Sequence, residues 1–189
     1  MVTLNRIYTR TGDGGSTRLA SGAPVSKASA RVCAYGDVDE TNAVLGMARI
    51  AIAGAAPLDR ILARIQNDLF DLGADLATPD RKAGAPDALR IVASQVDRLE
   101  REIDALNAEL AELTSFVLPG GTAAAAALHL ARTVSRRAER SAVALAGLEP
   151  VNPEALRYLN RLSDLMFVAA RYANDKGRGD VLWTPGATR

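Results

Sequence analysis

The sequence predicts an all-α protein, a five-helix up-down bundle with an irregular loop at its N terminus. Three observations support this fold class: apolar residues recur at steps of three and four, punctuating residues separate these segments by short links, and no segment alternates as a strand does. Helices joined by short links pack as antiparallel neighbours. A chain of 189 residues suits one domain, and we divide it into a loop over 1–30, a bundle over 31–175 and an irregular tail over 176–189.

Apolar seams predict the first three helices. A loose seam runs over residues 35–52, and a regular seam over residues 58–76 is ended by a Thr-Pro pair. A second regular seam covers residues 89–113, with Asp87 as the predicted N-cap. Seams at this spacing favour shallow crossing angles between neighbouring helices.

Capping residues place the last two helices. The fourth helix is predicted from Thr122, its N-cap, to Leu145, because this Ala- and Leu-rich stretch has no internal Pro or Gly. The fifth is predicted from Asn152, which caps it, to about Asn174, with Pro153 in the first turn.

The fourth predicted helix carries a row of like charges. Arg132, Arg136 and Arg140 stand four residues apart and therefore share one helical face, while Arg137 and Glu139 lie between them. Such a row gains stability when an anion comes to it, and guanidinium groups bind phosphate oxygens bidentately. A polyphosphate site is one interpretation. A solvated basic face or a row of interface salt bridges is the other.

The N-terminal loop combines glycines with hydroxyl and cationic side chains. Glycine allows backbone N–H groups to turn toward an anion, and the side chains add donors. The spacing matches neither a Walker loop nor a dinucleotide fingerprint, so a phosphate-binding loop and a flexible terminus both remain open. The candidate residues are Thr9, Arg10, Thr11, Gly12, Thr17, Arg18 and Lys27.

Composition excludes several classes of protein. A net charge of +1 provides no global field for nucleic acid or an anionic membrane. One histidine and one cysteine cannot build a zinc site or a pair of Glu-x-x-His motifs, so we expect His129 to be structural. The lone Cys33 forms no internal disulfide. With no signal-peptide core or membrane-length apolar stretch, we expect a cytoplasmic protein that works by positioning and charge.

Five segments carry a resemblance to a known family. In chain order they are IYTRTGDGGSTRLASG, RVCAYGDVDETNAVLG, FVLPGG, ARTVSRRAERSAVAL and NRLSDLMFVAARYAN. Together they resemble the PduO-type ATP:cob(I)alamin adenosyltransferases, and they span nearly the whole chain. The resemblance implies a ferritin-like, cobalamin adenosyltransferase-like five-helix bundle that assembles as a homotrimer with active sites at the subunit interfaces.

The resemblance also implies a reaction. Family members transfer the 5′-deoxyadenosyl group of ATP, which arrives with Mg²⁺, to the cobalt of cob(I)alamin and release triphosphate. Two other classes stay open: an ATP- and cobalamin-binding chaperone or sensor that delivers the cofactor to a mutase, and a structural or nucleic-acid-binding bundle that uses the arginine row. The near-zero net charge speaks against nucleic acid.

The family's ATP site maps onto two parts of this chain. The N-terminal candidates would contact phosphates or ribose; the family commonly has Lys where this chain has Gly14. The opposite wall would consist of Arg136, Arg137, Ala138, Glu139, Arg140 and Asn160. In this reading Arg136 stabilises the leaving triphosphate.

Three further residues carry roles by resemblance. Arg132 and Asp39 match a salt-bridged pair that joins neighbouring subunits at the active site. Phe116 matches an aromatic residue under the lower face of the corrin, which displaces the axial base and leaves cobalt four-coordinate. The C-terminal tail has no such match, and we expect its Trp183 to pack onto the bundle.

Overall fold

A computed structural model describes residues 7–52, 56–79 and 88–189 of the chain. Five helices account for most of these residues, so the predicted five-helix bundle is confirmed. Asp87, the predicted N-cap of the third helix, lies outside the described residues. The helices are α1 (Ala30–Ala51), α2 (Ala56–Leu76), α3 (Ala93–Asn107), α4 (Ala123–Ala146) and α5 (Pro153–Ala173).

The predicted starts of α4 and α5 are confirmed by their capping bonds. The Thr122 hydroxyl accepts a hydrogen bond from the backbone N–H of Ala125 at 3.1 Å. Asn152 accepts through its side-chain oxygen from the N–H of Glu154, also at 3.1 Å. These bonds satisfy N–H groups that the first helical turn leaves without an intrahelical partner.

Helix α3 is shorter than the 89–113 segment predicted for it. At its start, the Asp75 carboxylate accepts from the N–H of Ile91 at 2.9 Å and from Nη1 of Arg90 at 2.6 Å, which holds the chain extended. Beyond its end, the N–H of Ala111 donates to the carbonyl of Lys176 at 3.1 Å. Contacts with other elements therefore override the apolar periodicity at both ends.

The N-terminal loop was predicted to be irregular, but it contains a small hairpin. Strand β1 (Ser16–Arg18) pairs antiparallel with β2 (Pro24–Ser26). Gly22 makes the reversal with φ of 81°, a conformation that favours glycine. The N–H of Ala20 donates to the carbonyl of Ala77 at 3.3 Å, which ties the hairpin to the end of α2. Strands of three residues are too short to show alternation in the sequence.

The helices pack side by side with short connections. Helix α1 packs on α2 and α4, and α5 packs on α4 and α3. The buried carboxylate of Asp68 on α2 closes the arrangement, accepting from the Tyr158 hydroxyl of α5 at 2.8 Å and from Nε2 of Gln95 of α3 at 2.9 Å. Burial, then the nearby Asp68 charge, raises the pKa of Tyr158 and keeps its phenol a donor. Within the described ranges, no helix has the length and apolarity to cross a membrane.

We expected Trp183 of the C-terminal tail to pack onto the bundle, and the ring contact that it makes is with the loop before α4. Trp183 is 44% exposed and contacts Phe116 of the loop before α4. An isolated bridge pairs Val117 with Leu182, so this part of the tail follows the loop as a short extended segment. The tail takes this path because its backbone groups form hydrogen bonds with the backbone of the loop before α4.

Candidate functional site

A positively charged groove lies between α4 and α5. It encloses about 190 Å³, and two arginines of the predicted row enter it from α4. Its lining residues are Arg132, Arg136, Ser163, Asp164, Phe167 and Val168. Arg132 is half-buried, and its Nε atom is buried without a hydrogen-bond partner among the described residues. A buried guanidinium nitrogen with no acceptor costs free energy, so this groove favours an incoming acceptor.

The electrostatics of the groove follow from the burial of Arg132 and from its position beside Arg136. Burial, and secondly the charge of Arg136, lower the pKa of the Arg132 guanidinium. Arg136 itself is exposed, and its backbone carbonyl accepts from Nη1 of Arg140 at 3.2 Å. The three arginines therefore follow one another along the helix, as their spacing predicted, and two of them line the groove.

Glu139 and Asn160, both predicted for the ATP site, contact each other across α4 and α5. Nδ2 of Asn160 donates to Oε1 of Glu139 at 2.9 Å, and the Asn160 oxygen accepts from Nη1 of Arg161 at 2.9 Å. The Glu139 carboxylate is thus engaged in a hydrogen bond with the Asn160 amide. Among the described residues Glu139 forms no ion pair with Arg136 or Arg140, so the row keeps its charge for an external anion.

Arg137 and Ala138 lie away from the groove. Arg137 is turned toward α1, where it pairs with the carboxylates of Glu40 and Asp37. Ala138 is fully buried in the core. The structure therefore separates these two predicted residues from Arg136 and Arg140, because the helical turn sends them to the side packed against α1.

The N-terminal candidates gather around a tight loop. The hydroxyls of Thr9 and Thr11 share a hydrogen bond at 2.8 Å, and Arg10 between them has φ of 62°. A non-glycine residue in this left-handed conformation is strained, which is common at ligand-binding loops. Gly12 approaches the side chain of Lys27 so closely that a Cβ there would lie 3.0 Å from Nζ. These residues expose their polar groups to solvent.

Thr17 and Arg18 belong to the hairpin. Both lie in β1, and Nη1 of Arg18 donates to the carbonyl of Gly22 at 2.9 Å. The Arg18 guanidinium is therefore engaged in closing the hairpin turn, whereas the Lys27 ammonium faces Gly12. The hairpin fixes the spacing between these cations and the loop at residues 9–12.

Asp39 lies in a different groove from Arg132. It is exposed on α1, at a groove of about 390 Å³ between α1 and α2 whose wall includes the 73% exposed ring of Phe70. The other lining residues are Tyr35, Gly36, Val38, Asn42, Leu69, Gly73, Ala74 and Ala77. Within one chain the structure does not bring Asp39 and Arg132 together.

Phe116 stands at a third surface feature. Its ring is 76% exposed on the loop between α3 and α4. It lines an open cavity of about 450 Å³ together with Leu113, Thr114, Ser115, Trp183 and Pro185. A large exposed aromatic ring at a cavity is a typical contact for an apolar ligand face.

Comparisons with known proteins identify the family. The sequence profile of a protein family described as cobalamin adenosyltransferase matches residues 7–173. The chain belongs to the cobalamin adenosyltransferase family. It is 52% identical over 190 residues to the corrinoid adenosyltransferase of Mycobacterium bovis, covering 100% of this chain and 97% of the relative. With the corrinoid adenosyltransferase of Bacillus subtilis it shares 44% identity over 180 residues, covering 93% and 91%.

A solved structure agrees with this cobalamin adenosyltransferase assignment. It is a variant PduO-type ATP:corrinoid adenosyltransferase from Lactobacillus reuteri complexed with cobalamin and ATP. The TM-score is 0.87 at 41% identity, and the match covers 94% of this chain and 99% of that one.

Sequence reasoning missed the α5 wall of the groove in this cobalamin adenosyltransferase fold. Ser163, Asp164 and Phe167 follow Asn160 at steps of three and four, so they share its helical face. That spacing was a usable signal, but without a partner helix Ser163 and Phe167 are indistinguishable from core residues, and Asp164 from an ordinary solvated residue. In the part of the chain that the structure describes, no group of three or more acidic, His or Cys side chains is arranged to hold a metal ion.

Proposed function

We propose that this chain transfers the 5′-deoxyadenosyl group of ATP to the cobalt of cob(I)alamin, giving adenosylcobalamin and triphosphate. The observation that carries the proposal is the α4–α5 groove, where Arg132 presents a buried Nε without an acceptor and Arg136 stands beside it. The chain that carries this arginine-lined groove belongs to the cobalamin adenosyltransferase family, which supports the same function.

The proposed chemistry suits the residues. Cobalt(I) supplies the electron pair that forms the cobalt–carbon bond to C5′ of the ribose, and the C5′–O bond breaks with its pair departing on the triphosphate. No serine or cysteine nucleophile is required. The protein aligns the two substrates and stabilises the departing charge, and alignment alone supplies up to about 7–11 kcal/mol in favourable cases. Arg136, exposed at the groove, is proposed to stabilise the departing triphosphate.

The nucleotide is proposed to lie between the N-terminal loop and the arginine row. Thr9, Arg10, Thr11 and Gly12 offer donors and a close backbone approach, and Lys27 adds a charge beside Gly12. Mg²⁺ is proposed to arrive with ATP and to be held mainly by phosphate oxygens.

A homotrimer is part of the proposal. Arg132 and Asp39 line different grooves of one chain, so a salt bridge between them requires a second copy. A guanidinium has five N–H donors, so Arg132 can pair with Asp39 of a neighbouring subunit through its other N–H groups while Nε stays available to the incoming phosphate. The ATP site would then combine the loop of one subunit with the row of its neighbour.

Phe116 is proposed to contact the lower face of the corrin. Its exposed ring at an open cavity offers an apolar surface of the required kind. Displacement of the axial base leaves cobalt four-coordinate, which eases reduction from Co(II) to Co(I). We propose that the protein acts in the cytoplasm, where reductants are available. We also propose that a cobalamin-dependent mutase receives its product.

The test is a direct assay. Purified protein, reduced hydroxocobalamin and MgATP are mixed, and loss of the Co(I) absorption band is followed, with omission of ATP as the control. Arg136→Ala should lower the rate by about 100-fold or more, while Arg101→Ala, an exposed arginine on α3, should leave it unchanged. Binding of ATP and cobalamin without loss of the band would instead identify a carrier that delivers the cofactor.

A further inference from the structure

The C-terminal tail is hydrogen-bonded to the loop that carries Phe116. The N–H of Leu118 donates to the carbonyl of Val181 at 2.7 Å, and the N–H of Trp183 donates to the carbonyl of Phe116 at 2.8 Å. The Ser115 hydroxyl donates to the Trp183 carbonyl at 2.9 Å. The backbone on both sides of Phe116 is therefore fixed to the tail.

The two aromatic rings contact each other edge to face. The centroids of Phe116 and Trp183 are 5.9 Å apart with an interplanar angle of 63°, a favourable geometry for an aromatic pair. Phe116 is 76% exposed and Trp183 is 44% exposed. An exposed phenylalanine ring samples several rotamers, and a neighbouring ring edge restricts that choice. Trp183 is the single tryptophan of the chain.

A buried ion pair anchors this part of the tail to α5. Nε of Arg171 donates to Oδ2 of Asp180 at 2.7 Å, and the two side chains are only 6% and 2% exposed. Nη2 of Arg171 donates to the carbonyl of Ala111 at 2.7 Å, and Nδ2 of Asn174 donates to Oδ1 of Asp180 at 3.3 Å. The tail thus leaves a rigid anchor three residues before Trp183, and the loop before Phe116 is held by the same guanidinium.

We propose that Trp183, placed by the Arg171–Asp180 anchor, is a positioning residue that holds the Phe116 ring at the angle needed against the corrin. The proposal rests on the proposed function, because it gives Phe116 its corrin contact. Trp183 acts through Phe116 and need not touch the cobalt or the transferred carbon. Its loss frees the ring and lets the backbone bonds between the loop and the tail open more often, although it removes none of their donors or acceptors.

The first experiment separates positioning from binding. Trp183→Ala should lower kcat for adenosylation by about two- to tenfold, since the energy of an edge-to-face pair corresponds to roughly that factor in rate. It should lower by a similar factor the fraction of bound cob(II)alamin that electron paramagnetic resonance shows as four-coordinate in the presence of MgATP. KM for ATP should stay within about twofold, because no contact of the nucleotide loop changes. Trp183→Phe keeps an aromatic edge and should restore both values.

Controls and a second measurement keep the result interpretable. Leu148→Ala removes a 73% exposed leucine beyond the far end of α4 and should match the wild type. If Trp183→Ala melts below the wild type, Trp183→Leu, which keeps apolar volume without a ring, replaces it. Hydrogen exchange at the Leu118 amide, measured without corrinoid, reports on the loop by itself and should be faster in Trp183→Ala.

Each outcome decides the proposal. Loss of rate and of four-coordinate cobalt in Trp183→Ala, with recovery in Trp183→Phe, supports it. A Trp183→Ala enzyme equal to the wild type in both overturns it, as does full activity of Phe116→Ala. If the wild type binds cobalamin but transfers nothing, the proposed function fails. In that case, faster hydrogen exchange at the Leu118 amide in Trp183→Ala would still support the coupling of Trp183 to the loop. Unchanged exchange would contradict it.

Discussion

Asn160 on α5 donates a hydrogen bond from Nδ2 to Oε1 of Glu139 on α4, across 2.9 Å. The sequence placed Glu139 among four arginines, where it is the one available neutralising charge of the row. The hydrogen bond to Asn160 holds this carboxylate toward α5. The amide therefore has two consequences, since it joins the helices and fixes the position of the one carboxylate that the sequence places among the arginines.

Replacement of Asn160 should weaken ATP binding through Glu139. Asn160→Ala should raise KM for ATP about tenfold, because a hydrogen bond to a charged group contributes roughly 1.5–3 kcal/mol and its loss releases the carboxylate toward the arginines. Asn160→Asp should raise KM further, since it places a second carboxylate against Glu139. Steady-state kinetics with varied ATP check both values. Equal KM values for Asn160→Asp and the wild type would contradict this view.

Arg132→Ala should damage assembly and turnover together. In the proposed trimer Arg132 pairs with Asp39 of a neighbouring subunit, and removal of one partner strands the other charge at a cost of about 3–5 kcal/mol. Light scattering after size-exclusion chromatography should show smaller species, and the Co(I) assay should show a loss of about 100-fold or more.

The matched control for that experiment is Arg101→Ala, which removes an exposed arginine of α3. Arg132→Lys keeps the charge and should retain the oligomer while losing part of the rate, because a point charge replaces a bidentate fork. An unchanged oligomer with an unchanged rate in Arg132→Ala would refute the assignment.

The fold was predictable wherever periodicity and caps agree. Helices α2, α4 and α5 begin and end close to their predicted positions. The apolar seam of α2 indicates its extent, and Thr122 and Asn152 satisfy local backbone groups at the starts of α4 and α5. The ends of α3 were not predictable, because Asp75 and the carbonyl of Lys176 reach them from elsewhere in the chain. Such long-range bonds leave no trace in a local apolar pattern.

The candidate site was predictable in part for the same reason. Helical spacing places Arg132, Arg136 and Arg140 in one row, but only the partner helix decides which of them enter the groove. Arg137 turns to α1 because Glu40 and Asp37 are there, at a sequence separation that no local rule covers. The contact between Phe116 and Trp183 depends on the path of the tail, which carries no periodicity.

Two glycines of the N-terminal loop should respond differently to substitution. A Cβ at Gly12 would lie 3.0 Å from Nζ of Lys27 and 3.2 Å from the carbonyl of Ser16, whereas a Cβ at Gly14 meets nothing within 4 Å. Gly12→Ala should therefore raise KM for ATP by shifting Lys27 or the loop, and Gly14→Ala, its matched control, should not.

Gly14→Lys extends this comparison. The open space at Gly14 accommodates a longer side chain, and an added ammonium near the phosphates should lower KM for ATP by about two- to tenfold at low salt. Raising the ionic strength should reduce the gain. A gain that is independent of salt would show that the lysine does not act through its charge.

Phe116→Ala should slow adenosylation while ATP affinity barely changes. The ring lies on the loop before α4, and ATP is proposed to contact the N-terminal loop and the arginine row. We expect the four-coordinate form of bound cob(II)alamin to disappear and kcat to fall by at least about 100-fold, because the Co(II)/Co(I) reduction then becomes difficult. Isothermal titration with ATP is the companion measurement. A large loss of ATP binding would count against the corrin-facing role.

His129 should make the protein less stable in mild acid. It is 1% exposed, its two ring nitrogens have no hydrogen-bond partner among the described residues, and burial, then the charge of Arg132, lowers its pKa below 6.5, against a smaller raising effect of Asp180. The unfolded chain therefore binds a proton below about pH 6.5 that the folded chain does not, so stability is present above that pH and is lost as the pH falls toward the folded-state pKa.

The linkage gives a slope of at most about 1.4 kcal/mol per pH unit below pH 6.5, down to the folded-state pKa. His129 is the single histidine of the chain, so the difference between the wild type and His129→Leu isolates its contribution from the carboxylates. Denaturant unfolding at one fixed protein concentration measures that difference at each pH. Parallel curves for the two proteins across this window would mean that His129 titrates alike in the folded and unfolded chains, and that its burial does not hold it neutral.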